Sequence, residues 1–517
     1  QSGALLGLGK TYYQLARYPD SLSALRQLIT SYPESPHTAE SQFVLAQTYT
    51  ALDRHLEAAS AYEAYLTQNP GVIDAYIQER RGDAYTAANM HLASIGAYQA
   101  AIGAGSIQDT ALLQLKIGQA YAALEDYSTA LVIYQEVYNL TANDYLKARA
   151  NYLMGRAFMA LERPDQAQVA YRDAVVNYPL SYDSYLALVE MINAGFEVSE
   201  LDRGLVDYFA GQYNLAIDAF NRYLNQDVVG DPGTALYYLG FALRNSGDPE
   251  AALFAWDQII QNYPQDDYWD EAWEFKAYTQ WAYLNRYAGA VQTLTGFVDA
   301  VPFHPRAAEF LFDAARVEEL DQNYPQAIVL WERILEEYST SLYADRARFL
   351  IGITHYRTEN YPRAVAIFAQ SVAASSTGEA LSQAYMWLGK AHQASGDDVA
   401  AQAAWEQAVN ADPTGYYSER ARDLLQERDI FSSPQDYDLA FDAEAERAEA
   451  EAWMRETFAI PVVTNLSGLG TLAEDPRLIR GTELWKLGLY NEARLEFEDL
   501  REEISYDPVS CYRLANY

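Results

Sequence analysis

Few residues of this chain stand in arrangements that could make or break bonds. Ala4-Leu5-Leu6-Gly7-Leu8-Gly9-Lys10-Thr11 ends like a phosphate-binding loop, in which backbone N–H groups and the Lys ammonium cradle phosphates. That chemistry needs a preceding strand and a glycine-rich turn opening a helix. Here Gly9 sits inside a helical pattern with Tyr12 one turn on, so nucleotide binding is not expected. The six histidines, His37, His55, His91, His304, His355 and His392, include no pair three to five apart. Two imidazoles therefore do not share a helix face for a metal. Gly468-Leu469-Gly470 lacks the third glycine of a dinucleotide fingerprint. Carboxylates are abundant, as in Glu444–Glu451, but no pair separates itself as acid and base. One cysteine, Cys511, excludes an internal disulfide framework and a multi-cysteine zinc site. The expected work is binding, with no cofactor and no metal.

The elements that would position a ligand are clear. Gly155, Phe158, Ala167, Tyr171, Ala174 and Pro179 stand at offsets of 3, 12, 16, 19 and 24 from the first. The same register fits Gly118, Gly240 and Gly389 with their followers. Small-residue anchors fall at Gly9, Ala46, Gly82, Gly118, Gly155, Gly204, Gly240, Tyr278, Ala315, Gly352, Gly389 and Gly481, mostly 36 to 38 residues apart. Tyr278 is a poor anchor, but Ala290, Leu294, Phe297 and Pro302 keep the phase. A Gly or Ala lets two helices approach, the aromatic sixteen residues on fills the groove beside it, and a Pro ends the pair. Tyr32-Pro33, Tyr178-Pro179 and Tyr263-Pro264 are such ends. The series resembles the tetratricopeptide (TPR) pattern, and predicts an all-α fold of about a dozen helix pairs in a right-handed α–α superhelix.

Two steps are irregular. Gly155 to Gly204 spans 49 residues, which predicts one extra helix around Leu180–Ser199, and Gly389 to Gly481 spans 92. The second gap holds a loop (Phe431-Ser432-Ser433-Pro434), an acidic helix (Ala443–Phe458) and a linker from Ile460 through Gly470. The expected organisation is repeats over 1–179, the insertion helix and further repeats over 180–427, and a linker segment with a terminal helical pair over 428–517. Both ends look cut from a longer chain.

Half of the 517 residues are apolar, which argues against disorder, and no apolar run is long enough to span a membrane. A formal charge of −36 would repel nucleic acid. The 43 tyrosines fall largely at packing positions. In the repeat register, the face open to a ligand lies on the first helix of each pair, three before and one after the anchor, then one turn on. That selects Tyr152 and Arg156, Tyr237, Phe241 and Arg244, and Lys390 as candidate ligand contacts. Solvated helix surface is the plainer reading of the same positions.

The last hundred residues or so carry a second resemblance. Tyr416-Tyr417-Ser-Glu-Arg-Ala-Arg-Asp-Leu-Leu425, Leu466-Ser467-Gly468-Leu469, the run Arg480–Arg494 and Tyr512-Arg513-Leu514-Ala515 occur in the order of the solenoid-to-catalytic linker of the soluble lytic murein transglycosylases. The chain resembles that family's non-catalytic region. The resemblance implies a horseshoe or ring, a cell-envelope location (periplasmic or extracytoplasmic), peptidoglycan glycan strands or envelope proteins as partners, and a murein-cleaving domain downstream. That domain uses one Glu in a Glu-Ser-x-Phe motif with Gly-Leu-Met-Gln after it. Glu40-Ser41-Gln42-Phe43 matches the first motif, but it opens a repeat helix three residues before Ala46, and the second motif is absent. Glu40 is therefore expected to be structural. The alternative function is a general TPR protein–protein interaction module.

Overall fold

A computed structural model describes residues 1–107, 109–226, 230–429 and 442–517. Among these, 28 α-helices and one short 3-10 helix, Gly470–Glu474, account for the secondary structure, and no strand is present. The predicted loop Phe431–Pro434 lies outside the described residues.

The helices pack as sequential pairs, for example Asp144–Ala160 with Pro164–Asn177, and Pro232–Asn245 with Pro249–Asn262. The sixteen-residue spacing is the physical joint of each pair. A Cβ placed on Gly240 would fall 2.5 Å from the Trp256 ring. Gly155 faces Tyr171, Gly204 faces Phe220 and Gly389 faces Trp405 in the same way. Those four rings are buried, and each buried aromatic side chain contributes about 1.5–3 kcal/mol of transfer free energy.

The turn inside each pair also repeats. The N–H of the residue capping the second helix donates to the carbonyl five residues back: Asp126 to Tyr121, Arg163 to Phe158, Asp248 to Leu243 and Asn323 to Glu318, at 2.8–3.0 Å. The residue before each cap takes a left-handed φ, as at Glu125 (63°), Glu162 (57°), Gly247 (98°) and Gln322 (62°).

The pair Trp269–Ala282 and Tyr287–Ala300 departs from this pattern. The Arg286 N–H reaches six residues back, to the Gln280 carbonyl at 2.7 Å, so the turn holds one extra residue. The first helix is shifted by that residue. Ala277, 1% exposed, packs in one core with Ala290 and Leu294, while Tyr278 is 39% exposed. The expectation that Tyr278 is the anchor is corrected: Ala277 takes that place, and the turn absorbs the offset.

The chain forms two compact units, Gln1–Val198 with Ala440–Tyr517, and Ser199–Leu439. In the first, the repeats run to an additional helix, Tyr182–Ala194, capped by Ser181 and ended by Gly195 at φ 72°. The acidic helix of the linker is Ala443–Thr457. A terminal hairpin, Pro476–Lys486 and Tyr490–Glu503, shares a core with the first repeats: Leu484, Leu487 and Ala493 group with Leu25, Tyr62, Tyr65 and Ile77. Its carboxylates fasten the contact. Tyr65 and Tyr76 hydroxyls donate to Glu483 and Glu496 at 2.8 Å each, Arg80 pairs with Glu492, and Arg480 holds Glu496 with two bonds of 2.6 Å. The second unit consists of repeat helices from Glu200–Phe209 to Tyr416–Leu425 among its described residues.

Candidate functional site

Of the sequence-selected residues, Tyr237, Phe241 and Arg244 come together on one face of Pro232–Asn245. Tyr237 stacks on Tyr268 with centroids 4.1 Å apart and planes at 15°. It meets Phe241 edge-on at 4.9 Å, and Phe241 meets Phe275 at 4.7 Å and Trp256 at 5.5 Å. Tyr208, from the preceding pair, completes the row 6.3 Å from Phe241. Such edge-to-face and stacked rings hold one another in fixed orientations. Burial raises the Tyr237 hydroxyl above its ordinary pKa, with the Glu271 charge adding to it. Burial pushes Tyr238 up to about 12.

Arg244 closes one end of this row. Its guanidinium carbon lies 5.0 Å from the centroid of Phe241, 5.7 Å from Trp256, 5.7 Å from Tyr278 and 5.0 Å from Tyr283. Nε and Nη1 are sealed from solvent and donate to nothing. A cation over a ring gains about 0.5–1 kcal/mol, rising to about 2 when desolvated. A buried donor without an acceptor costs about 1–3 kcal/mol. Among the described residues the box therefore holds a cation whose charge is met by ring faces and by no anion.

The other two selected positions repeat the theme at separate places. In the first unit, Arg156 lies 5.9 Å over Tyr152, whose ring tilts against Tyr171, and it lines a cleft of about 310 Å³ with Gln119, Tyr127 and Tyr134. In the second unit, Lys390 lies 4.3 Å over Trp387 and 5.8 Å from Tyr356. Burial lowers its pKa, with the Arg420 charge acting in the same direction. Among the described residues none of the three cations makes an ion pair, although acids outnumber bases 72 to 36 in the chain. Arg222, Arg286, Arg306 and Arg333 all do.

Tyr268, Phe275, Tyr278, Tyr283, Trp387 and Tyr356 were not selected from sequence. The usable signal was Tyr278 itself: an aromatic where every other anchor is Gly or Ala marks a shifted helix. Among the described residues, no group of three or more His, Cys, Asp or Glu is arranged to hold a metal ion.

Over residues 6–73, 152–194, 201–267, 282–341 and 322–380 the sequence matches the tetratricopeptide repeat family. The chain belongs to that family. As a TPR protein it is an α–α solenoid by architecture, with the ring-lined positions on the first helices of its repeats. Similar solved structures include the MamA protein (16% identity, 38% of this chain and 97% of that one, TM-score 0.29). A tetratricopeptide repeat protein from Parabacteroides merdae ATCC 43184 is similar at 12% identity, over 53% of this chain and 98% of that one, with a TM-score of 0.30. A chain of the Naa15/Naa10 structure bound to HypK-THB is similar at 12% identity, over 99% and 80%, with a TM-score of 0.28. No curated protein matches the sequence.

This corrects the resemblance to the soluble lytic murein transglycosylases. The family that matches, over more than half of the chain, is the tetratricopeptide repeat. The segments that carried the resemblance obey ordinary repeat packing. Tyr416–Leu425 is a repeat helix whose Ser418 hydroxyl bonds Ser382 Oγ and the Ala408 carbonyl at 2.9 Å each. Arg480–Arg494 carries the anchor Gly481, which faces Phe497 sixteen residues on. Glu40 is buried and paired with Lys10 and Lys486, a structural carboxylate. The glycan partner and the envelope location were implied by that resemblance and have no other support in the chain. Among the described residues no helix is long and apolar enough to cross a membrane.

Proposed function

We propose that this chain is a protein–protein interaction scaffold, holding an extended segment of a partner protein against the first-helix face of the repeats spanning 200–300. The observation that carries this reading is the ring row: Tyr208, Tyr237, Phe241, Tyr268 and Phe275 from successive repeats, with centroids 4.1–6.3 Å apart and an unpaired cation at its end. Aromatic side chains with few torsions, fixed on packed helices, give large contact area at small entropic cost, which is why they dominate binding hot spots. TPR repeats suit the task because each adds surface without altering the fold. The work is binding and positioning.

The test is selection of a displayed random-peptide library on the full chain, with each enriched peptide then measured on Tyr237→Ala and Tyr268→Ala. Loss of about tenfold or more in affinity on both variants supports the reading, in line with hot-spot truncation. Enriched peptides that bind parent and variants alike place the binding surface elsewhere and overturn it, as does a library that yields no enrichment.

A further inference from the structure

Gly468-Leu469-Gly470 is no dinucleotide fingerprint, yet its backbone is folded in a way that suits an anion. Gly468 takes φ 70°, Leu469 follows at φ −77° and ψ −22°, and Gly470 returns to φ 56°. A left-handed residue beside a right-handed one turns successive N–H groups to one side, the concavity called a nest. Asn465 fixes the entry to this turn: its side-chain oxygen accepts from the Ser467 N–H at 2.9 Å and from the Ser467 hydroxyl at 2.7 Å. The N–H groups of Gly468 and Leu469, which precede the short 3-10 helix, donate to nothing among the described residues.

Two guanidiniums border the same turn. Arg447 from Ala443–Thr457 and Arg513 from Pro508–Asn516 line one cleft of about 180 Å³ with Ser467, Gly468 and Leu469, all within the first unit. Arg447, Ser467, Gly468 and Asn516 are exposed, so the cleft opens to solvent. Arg513 is anchored. Its Nη2 donates to the Asn465 carbonyl, and a Cβ on Gly470 would collide with Nη1. Glycine at 470 is therefore what lets this guanidinium lie against the turn. Nε is sealed, but Nη1 is not, and it has no acceptor among the described residues. Neither arginine forms an ion pair among the described residues. Glu451, one helical turn from Arg447, lines the cleft as well.

We propose that this cleft binds a phosphate group, inorganic or as a monoester, held by the Gly468 and Leu469 N–H groups and by Arg447 and Arg513. The donors come from three elements, a turn and two helices. A tetrahedral oxyanion has acceptor oxygens on three sides and meets donors so disposed, whereas a planar carboxylate presents two oxygens. Two cations against one lining carboxylate leave the cleft positive in a chain of formal charge −36. The site uses no residue of the ring row, so it is tested independently of the scaffold reading.

The experiment titrates inorganic phosphate, N-acetyl-O-phosphoserine amide and acetate, at constant ionic strength, into the 517-residue chain labelled with ¹⁵N-glycine. The Gly468 amide resonance is identified by its loss in Gly468→Ala. The expected result is a saturable shift of that resonance with either phosphate, weakened about tenfold or more in Arg447→Met, as for one charge-assisted bond removed. Arg494→Met, which removes an exposed arginine of the terminal hairpin, should leave the affinity unchanged. Acetate should bind about tenfold more weakly or worse, as for a donor left unmet. The ratio of the two phosphates tells whether the group arrives free or on a side chain, and either satisfies the proposal. No saturable shift of Gly468 with either phosphate overturns the inference. So does an affinity that Arg447→Met leaves unchanged or that Arg494→Met lowers equally, and so does acetate that binds as tightly as phosphate. Because the anions are compared on the unaltered chain, that comparison does not depend on any variant folding.

Discussion

Replacing Arg244 by Met separates a ligand-receiving arginine from a structural one. The substitution keeps a long apolar stem against Phe241 and Trp256 and removes only the charge and its donors. From the structure, the two sealed nitrogens without acceptors each cost about 1–3 kcal/mol. The four ring contacts at 5.0–5.7 Å each return about 0.5–1 kcal/mol. Losing both sets together is expected to leave the local stability between about 2 kcal/mol lower and about 4 kcal/mol higher. Arg480→Met is the contrast. It strands Glu496, 3% exposed, without its bidentate partner, and should cost about 3–5 kcal/mol. In a repeat array each contribution is felt by neighbouring helices, so the assay is amide hydrogen exchange read helix by helix. Protection of Pro232–Asn245 and Trp269–Ala282 is followed for the first variant, and of Asp74–Ala87 and Pro476–Lys486 for the second. If Arg244→Met lowers protection by more than about 2 kcal/mol, the guanidinium is holding the box together. The reading of Arg244 as a cation left free for a partner at the end of the ring row would then be refuted.

Three further expectations follow from the packing. Gly240→Ala pushes a methyl to 2.5 Å from the Trp256 ring and should cost about 1–3 kcal/mol, largely recovered in the double variant with Trp256→Leu; urea unfolding of the four chains measures the coupling. Asp207, 2% exposed, is pushed up to about 6 by burial, with Arg203 opposing. The folded chain therefore binds this proton more tightly than the unfolded one, so stability should fall as pH rises from about 4 to 6. Asp207→Asn should flatten that slope in a thermal-melt pH series and gain at most about 3 kcal/mol at pH 7. Leu484→Ala removes a fully buried side chain from the core that the terminal hairpin shares with the first repeats. The cost should be about 2–5 kcal/mol, read as lost exchange protection in His55–Gln68.

The sequence was enough to place the helices. A small residue followed at sixteen by an aromatic states a local contact between two helices joined by a short turn, and Gly155 with Tyr171 or Gly389 with Trp405 meet as that spacing requires. The register also brought out Tyr237, Phe241 and Arg244, because their positions on one helix face depend only on the helical period. The same locality explains the misreading of the last hundred residues. Letters such as Tyr-Tyr with a later Ala and Leu are what any packed repeat helix needs, so Tyr416–Leu425 looked like a family signature while serving as an ordinary joint.

Tertiary structure alone decided the rest. Tyr268 and Phe275 reach the site from the next repeat, and Tyr278 and Tyr283 reach it because one extra residue in a turn rotates their helix outward and brings Ala277 in. The terminal hairpin joins the core of the first repeats across more than 400 residues of sequence. Periodicity reports which side of each helix is apolar. It carries no information about which distant apolar side will cover it, nor about which cation will be left without an anion, because both are settled only when separate helices compete for the same surface.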